Sequence, residues 1–366
     1  MDKFFKRTVI GSAVAAAVMA STAANAYVIA QTEDNSVELY GVVSISAVDY
    51  GTKDSTFALE NESRVGFRAS QAMSDSVEAF VQMESGWMGD AGADIGNRDT
   101  FVGMRGDDWG QVRFGRMLTP MYELVDWPYS ASNMGTTFDR GWRPGERFHF
   151  DRKSQQIRFD SPMFADMVKF SISGGNGSEN TEDSKFYSGS FTIKPVQMLT
   201  LHAAFENTND TIFDSKESKV IIGTDSQGKD IVVKHNENVV GDTSNWFAGF
   251  ELRPIDSVMI AAAYKSGEFD RTGAVTNGYD KREIDAYTIQ ANYYMGATNF
   301  RLGYASQDGE TDGAKDEFLK RETITGEVGH SFNSVYTFLR VAQQSDAAGS
   351  YKGEDTMIRI GTEWYF

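Results

Sequence analysis

The sequence predicts an all-β fold: a transmembrane antiparallel β-barrel of about sixteen strands, with a long third loop folded into the lumen. Three observations predict it. Segments of about ten residues alternate apolar and polar positions from Val37 to Phe366, as strands with one apolar and one polar face do. The connections between them alternate short and long, which puts tight turns at one end of the barrel and large loops at the other. One connection, Met117–Lys153, is long, aromatic-rich and without either period. A stretch of that kind inside a strand-rich chain is a functional loop, because disordered segments are poor in aromatics.

The chain opens on a targeting signal. Lys3, Lys6 and Arg7 precede a run of small apolar residues from Thr8 to Ala24, and Ala24-Asn25-Ala26 is a cleavage site. Residues 1–26 therefore read as a signal peptide cleaved after Ala26, and 27–366 as the barrel domain. The run is too short and too rich in alanine for a membrane anchor. The barrel domain carries 32 basic against 51 acidic side chains, a net charge of −19. Such a chain repels nucleic acid. Cysteine is absent, which excludes a disulfide scaffold, a thiolate metal site and a cysteine nucleophile.

The strands follow in order. In Val37–Val48, Leu39, Val43, Ile45 and Ala47 share one face, and Glu38, Tyr40, Ser44 and Ser46 the other. Val65, Phe67 and Ala69 lie opposite Arg64, Gly66 and Arg68; Val77, Ala79, Val81 and Met83 lie opposite Glu78, Gln82 and Glu84. The pattern returns at Leu199–Glu206, Asn245–Leu252 and Val335–Val341. Ten residues at ~3.3 Å each, tilted by ~40°, span about 25 Å, the apolar thickness of an outer membrane. All six prolines are expected between strands: Pro120, Pro128 and Pro144 in the long loop, Pro162, Pro195 and Pro254 in short turns. The connection Asn207–Thr243 holds two apolar runs around Asp225-Ser226-Gln227-Gly228 and reads as a hairpin above the barrel. The last strand ends on Trp364-Tyr365-Phe366 and is expected to pair with the first, removing both sheet edges.

Several motifs recur in one known family. They are Val37-Glu38-Leu39-Tyr40-Gly41, Asn61-Glu62-Ser63-Arg64-Val65-Gly66-Phe67-Arg68, Phe80-Val81-Gln82-Met83-Glu84-Ser85-Gly86, Phe101-Val102-Gly103-Met104-Arg105-Gly106 and Val112-Arg113-Phe114-Gly115-Arg116, with the terminal Phe366. In this order they resemble Gram-negative general porins, those of neisserial and β-proteobacterial type in particular. The match is clear from Val37 to Asp126 and in the last strand. The resemblance implies a homotrimer in the outer-membrane lipid and a water-filled channel for passive diffusion of ions and small hydrophilic solutes. It also implies a folded-in loop facing arginines at Arg64, Arg98 and Arg116, and a terminal strand (Trp364, Phe366) read by the barrel assembly machinery. The sequence departs from the family in two places. The loop lacks the Pro-Glu-Phe-Gly-Gly stretch, and Val42 stands where relatives carry a lysine. The carboxylates facing the arginines are then sought among Glu123, Asp126 and Asp139.

The residues bear on that mapping independently. Arg64 lies opposite Val65 and Phe67 and so faces the lumen, and Arg98 lies opposite Phe101. Strict alternation places Arg116 with Val112 and Phe114; a bulge at Gly115 would turn it inward. The alternative is that the wall arginines pair with Glu78 and Glu84. The loop has five acids (Glu123, Asp126, Asp139, Glu146, Asp151) and five bases (Arg140, Arg143, Arg147, Arg152, Lys153), so wall arginines should decide selectivity, which is expected to be weak, with little preference for cations.

Trp127 and Trp142 offer aromatic faces to sugar rings, which is the basis of a saccharide-preferring alternative; otherwise they pin the loop to the wall. No cofactor is expected. Asp308–Gly313 resembles the start of a calcium loop, but the twelfth position is Leu319, which excludes an EF-hand; acidic outer loops leave room only for weak divalent binding. The histidines His149, His202, His235 and His330 sit in no hydrolase motif. An outer-membrane hydrolase is therefore carried only as the enzymatic alternative.

Overall fold

The computed structural model describes residues 26–51, 57–86, 95–130, 137–139, 152–176, 184–224, 230–272, 280–346 and 355–366. Its strands are β1 (Tyr27–Gln31), β2 (Asn35–Asp49), β3 (Ala58–Asn61), β4 (Arg64–Ser74), β5 (Val77–Gly86), β6 (Thr100–Gly106) and β7 (Gly110–Leu118). After the irregular segment follow β8 (Arg152–Asp160), β9 (Val168–Gly175), β10 (Lys185–Val196), β11 (Leu199–Thr224), β12 (Asp230–Ile255) and β13 (Val258–Arg271). The last are β14 (Lys281–Met295), β15 (Thr298–Thr311), β16 (Ala314–Lys315), β17 (Arg321–Phe332), β18 (Val335–Asp346) and β19 (Asp355–Tyr365).

These strands make a closed antiparallel barrel of sixteen wall strands. β3 and β4 are two parts of one wall strand, both paired with β2. β1 pairs with β2 alongside the barrel's seam, and β16 is a short return onto β15. The seam closes between β19 and β2, from Ile358↔Asp49 to Tyr365↔Val42. Phe366 extends it with two backbone bonds to Gly41, 2.9 and 3.1 Å. Every ladder is satisfied by a neighbour, so no wall edge is left to lipid.

The barrel is inside-out relative to a water-soluble fold. In β17, Arg321, Thr323, Thr325, Glu327 and Ser331 are buried, while Ile324, Val328 and Phe332 are exposed. Apolar exposure on this scale is untenable in water but is what lipid demands. Aromatic rings mark both edges of the apolar band. Tyr187, Phe205, Trp246, Tyr264, Tyr287 and Tyr304 lie toward the loop end. Phe170, Phe191, Tyr293, Phe300, Trp364 and Phe366 lie toward the turn end. On β14, Tyr287 and Tyr293 are six residues apart, ~20 Å along the strand and close to the ~25 Å apolar band.

One expectation is corrected in detail. Pro195 and Pro254 lie inside β10 and β12 rather than between strands. Each sits at a register shift, Ile193/Val196 and Leu252/Ile255, where a missing N–H costs no ladder bond. The predicted hairpin above the barrel is present, built as a continuation of two wall strands. β11 and β12 run on as a paired ribbon to Thr224↔Asp230, beyond the last pairings with β10 (Lys185↔Asn209) and β13 (Gly241↔Arg271).

Candidate functional site

The site begins where β7 leaves the wall. Gly115 pairs with Gln156 and Met117 with Lys153, so Arg116 alone faces Ser154 and Gln155: a bulge. Gly115 has φ +137°, and a Cβ there would come within 2.5 Å of the Thr100 carbonyl; only glycine fits. Arg116 donates from Nε to the Asn97 carbonyl at 2.8 Å and from Nη1 to Ser154 Oγ.

Once the ladder ends at Leu118, its carbonyls need other donors. Side chains of β8 supply them. Gln156 donates to the Met117 carbonyl, and Arg158 Nη1 to the Leu118 carbonyl at 2.9 Å. Thr119 then caps a short helix, α1 (Pro120–Leu124), with Pro120 at its first position. A further turn, Val125–Tyr129, is broken by Trp127, which is extended at φ −143°, ψ 133°.

The described part of this segment lies against buried, inward-facing side chains. Glu123 is ion-paired to Arg158, itself held by Asp160 Oδ1 at 2.7 Å. The Met121 amide donates to Ser188 Oγ at 3.3 Å. Trp127 lies under the Arg301 guanidinium, 5.0 Å from the ring centroid. Tyr129 packs edge-on to His202 and Phe247, at 5.9 and 5.1 Å. Thr137 bonds Thr323 at 2.7 Å, and Lys265 Nζ donates to the Asp139 carbonyl. Between segment and wall lies an apolar core in which Met121, Tyr122, Val125, Tyr129 and Phe138 meet Ala204, Phe247, Ala261, Ala263, Ile284 and Ala286 of β11–β14.

The predicted arginines come together on the opposite sector. Arg98 Nε binds Glu84 Oε1 at 2.6 Å, and its charge lies within electrostatic reach of Asp126. Arg64 acts on the same Glu84 through space. Arg116 reaches the Asn97 carbonyl, one residue from Arg98. The wall pairing weighed as an alternative is also present, as Arg98–Glu84 and Arg105–Glu78.

Of the three carboxylates sought opposite these arginines, Asp126 alone is near them. Glu123 is corrected: Arg158 claims it. Asp139 is corrected too: it sits by Lys265 on β13, across the barrel. The segment's described residues touch side chains of β8, β10, β11, β13, β15 and β17, so its acids reach different sectors. Trp142 lies outside the described residues. Trp364 is exposed on the lipid side beside Phe366, ring centroids 5.9 Å apart. The sequence reading missed Arg158 and Arg301. Arg158-x-Asp160 sets a cation and an anion on one strand face, and that spacing was the available signal.

A family model described as Gram-negative porin matches residues 13–346. The chain is 36% identical, over the full length of both, to the chitoporin of Vibrio furnissii. Among solved structures, a loop L8 deletion mutant of OmpT, an outer membrane protein of Vibrio cholerae, superposes with a TM-score of 0.72 at 17% identity, covering 91% of this chain and 100% of that one. The anion-selective porin of Comamonas acidovorans gives 0.66 at 18% identity, with 91% and 100% covered.

Proposed function

From the premise that the chain belongs to the Gram-negative porin family, we propose that its channel narrows between Arg64, Arg98 and Arg116 and the segment carrying Asp126. The protein is an outer-membrane channel through which ions and small hydrophilic solutes diffuse passively. The observation that carries the proposal is the Arg98–Glu84 pair at 2.6 Å, with Asp126 of the segment within electrostatic reach of Arg98. Charges lining a channel set ion preference through the local field. Replacing Arg98 with serine removes one positive charge and leaves Glu84 with the Tyr40 hydroxyl and the more distant Arg64. The reversal potential in a planar bilayer should shift toward cations at low salt, and conductance should rise slightly. At 1 M salt the shift should shrink, because the screening length falls to ~3 Å. An unchanged low-salt reversal potential would place Arg98 away from the narrowing.

A second reading is favoured by one finding, the full-length similarity to a chitoporin. On it, the channel prefers chitin-derived saccharides, and Trp127 presents its ring for stacking. Arg301 backs the ring, which suits both a stacking platform and a simple anchor. Chitin oligosaccharides should then block the ion current in proportion to their concentration, and Trp127→Ala should abolish the block; the same loss is expected for Trp142→Ala. Block that survives both substitutions would leave the anchoring role alone. Homotrimeric assembly through the barrel assembly machinery belongs to the same proposal, and unheated gels of the purified protein test it. No catalytic step is part of it: His202 is held by Thr192 and Glu251.

A further inference from the structure

We infer that the wall carries a second anion step, at Arg68, and that Tyr40 builds it; this rests on the arginine-lined channel proposed above. Arg64 and Arg68 share the inner face of β4, paired with Val42 and Glu38 of β2, while Phe67 between them is exposed to lipid. Four residues separate them by ~13 Å along the strand.

Tyr40 lies between the two levels. Its ring sits under the Arg68 guanidinium, 3.9 Å from centroid to Cζ. Beneath the ring is Gly66, where a Cβ would come within 2.5 Å of the Tyr40 Cζ, so any larger residue would displace the ring. Its hydroxyl donates to Glu84 Oε2 at 3.0 Å, while Glu84 Oε1 holds Arg98. One side chain therefore does two things. It keeps Glu84 turned toward Arg98, and it holds Arg68 flat against the wall.

Arg68 keeps its charge available. Its Nε donates to a neutral acceptor, Gln82 Oε1, at 3.1 Å. Among the described residues no carboxylate lies within ion-pair distance of it, although Glu38 is directly opposite in the ladder. The contrast with its neighbours is direct. Arg105 and Arg113 also lie over rings, those of Phe80 and Phe101, but Arg105 is neutralised by Glu78 at 2.8 Å and Arg113 by Asp160 at 2.6 Å. A guanidinium stacked on an aromatic face and bound only by a neutral amide can still attract an anion.

At physiological salt the ~13 Å between Arg64 and Arg68 exceeds the ~8 Å screening length. The two therefore act as separate shallow wells. Weak sites in series allow an ion to enter and to leave again. The ligands are small anions: chloride, and solutes bearing a carboxylate or phosphate.

The test uses the full-length protein in planar bilayers under a potassium chloride gradient, with folding of each variant checked by its heat-dependent gel mobility. One charge at ~5 Å in water, screened at ~0.15 M, changes local ion occupancy about twofold. Arg68→Gln should therefore lower the chloride-to-potassium permeability ratio about twofold or more, and Arg68→Lys should restore most of it. Arg64→Gln with Arg68→Gln should lower it further than either alone. Tyr40→Leu should lower it too, by freeing Glu84. If Arg64→Gln lowers the ratio and Arg68→Gln does not, the second step is wrong while the constriction stands. If neither changes it, the arginine-lined channel fails and takes the second step with it.

Discussion

Replacing Arg158 with alanine is expected to destabilise the barrel by about 3–5 kcal/mol, the usual cost of removing one partner from a buried ion pair. Arg158 and Asp160 side chains are each 3% exposed. The guanidinium also holds Glu123 and the Leu118 carbonyl. Without it, Asp160 keeps Arg113 and Gln111, but Glu123 and α1 lose their hold on the wall. Unfolding in urea with lipid present should report the loss, and single-channel records should become heterogeneous as the segment moves. Replacing Arg158 and Glu123 together with apolar residues of similar size should recover much of the stability, since Asp160 keeps Arg113 and no buried charge is stranded. A variant Arg158→Ala with wild-type unfolding and a single wild-type conductance would show that the helix is held elsewhere.

Deletion of Phe366 is expected to reduce folded protein in the outer membrane sharply. The residue gives the seam two backbone bonds to Gly41 and sets its ring 6.5 Å from Tyr27 and 5.9 Å from Trp364. Two bonds at a net ~1 kcal/mol each already correspond to more than tenfold in an equilibrium. The loss falls where the barrel must close, so incompletely closed chains should accumulate and be degraded. Fractionation and unheated gels measure it. A wild-type yield of folded barrel from the deletion would show that the bonds of β19 from Ile358 to Tyr365 suffice.

The wall of this protein was legible in its sequence because lipid enforces alternation on every strand. The facing of Arg64, Glu84 and Phe67 follows from a period of two alone. An irregularity beside Arg116 was legible for a different reason, since strict alternation set an arginine on the lipid face next to a glycine; the extra residue itself lies on β8, between Lys153 and Gln156. The path of the segment after Leu118 was not legible. It follows no period, so nothing local says that Glu123 meets Arg158 or that Asp139 meets Lys265, 126 positions away in the chain. One indirect trace existed. The inner-facing positions Ala204, Phe247, Ala261, Ala263, Ile284 and Ala286 are apolar, although a water-filled interior favours polar residues there. An apolar inner face marks where something dry must rest.

That apolar face ties aperture to cohesion. A channel is ordinarily widened by trimming whatever obstructs it. In the proposed narrowing, the obstructing segment is also the cover over Phe247, Phe269 and Ile284. Shortening the segment would admit larger solutes and, in the same stroke, wet an oily strip inside the barrel, with the penalty of exposed apolar area. A wider variant would therefore have to be made from the arginine side, where the wall is already polar, or by rewriting β11–β14 and the segment together. Solute size limit and resistance to unfolding should accordingly vary together among variants altered in the segment, and separately among variants altered at Arg64, Arg98 and Arg116.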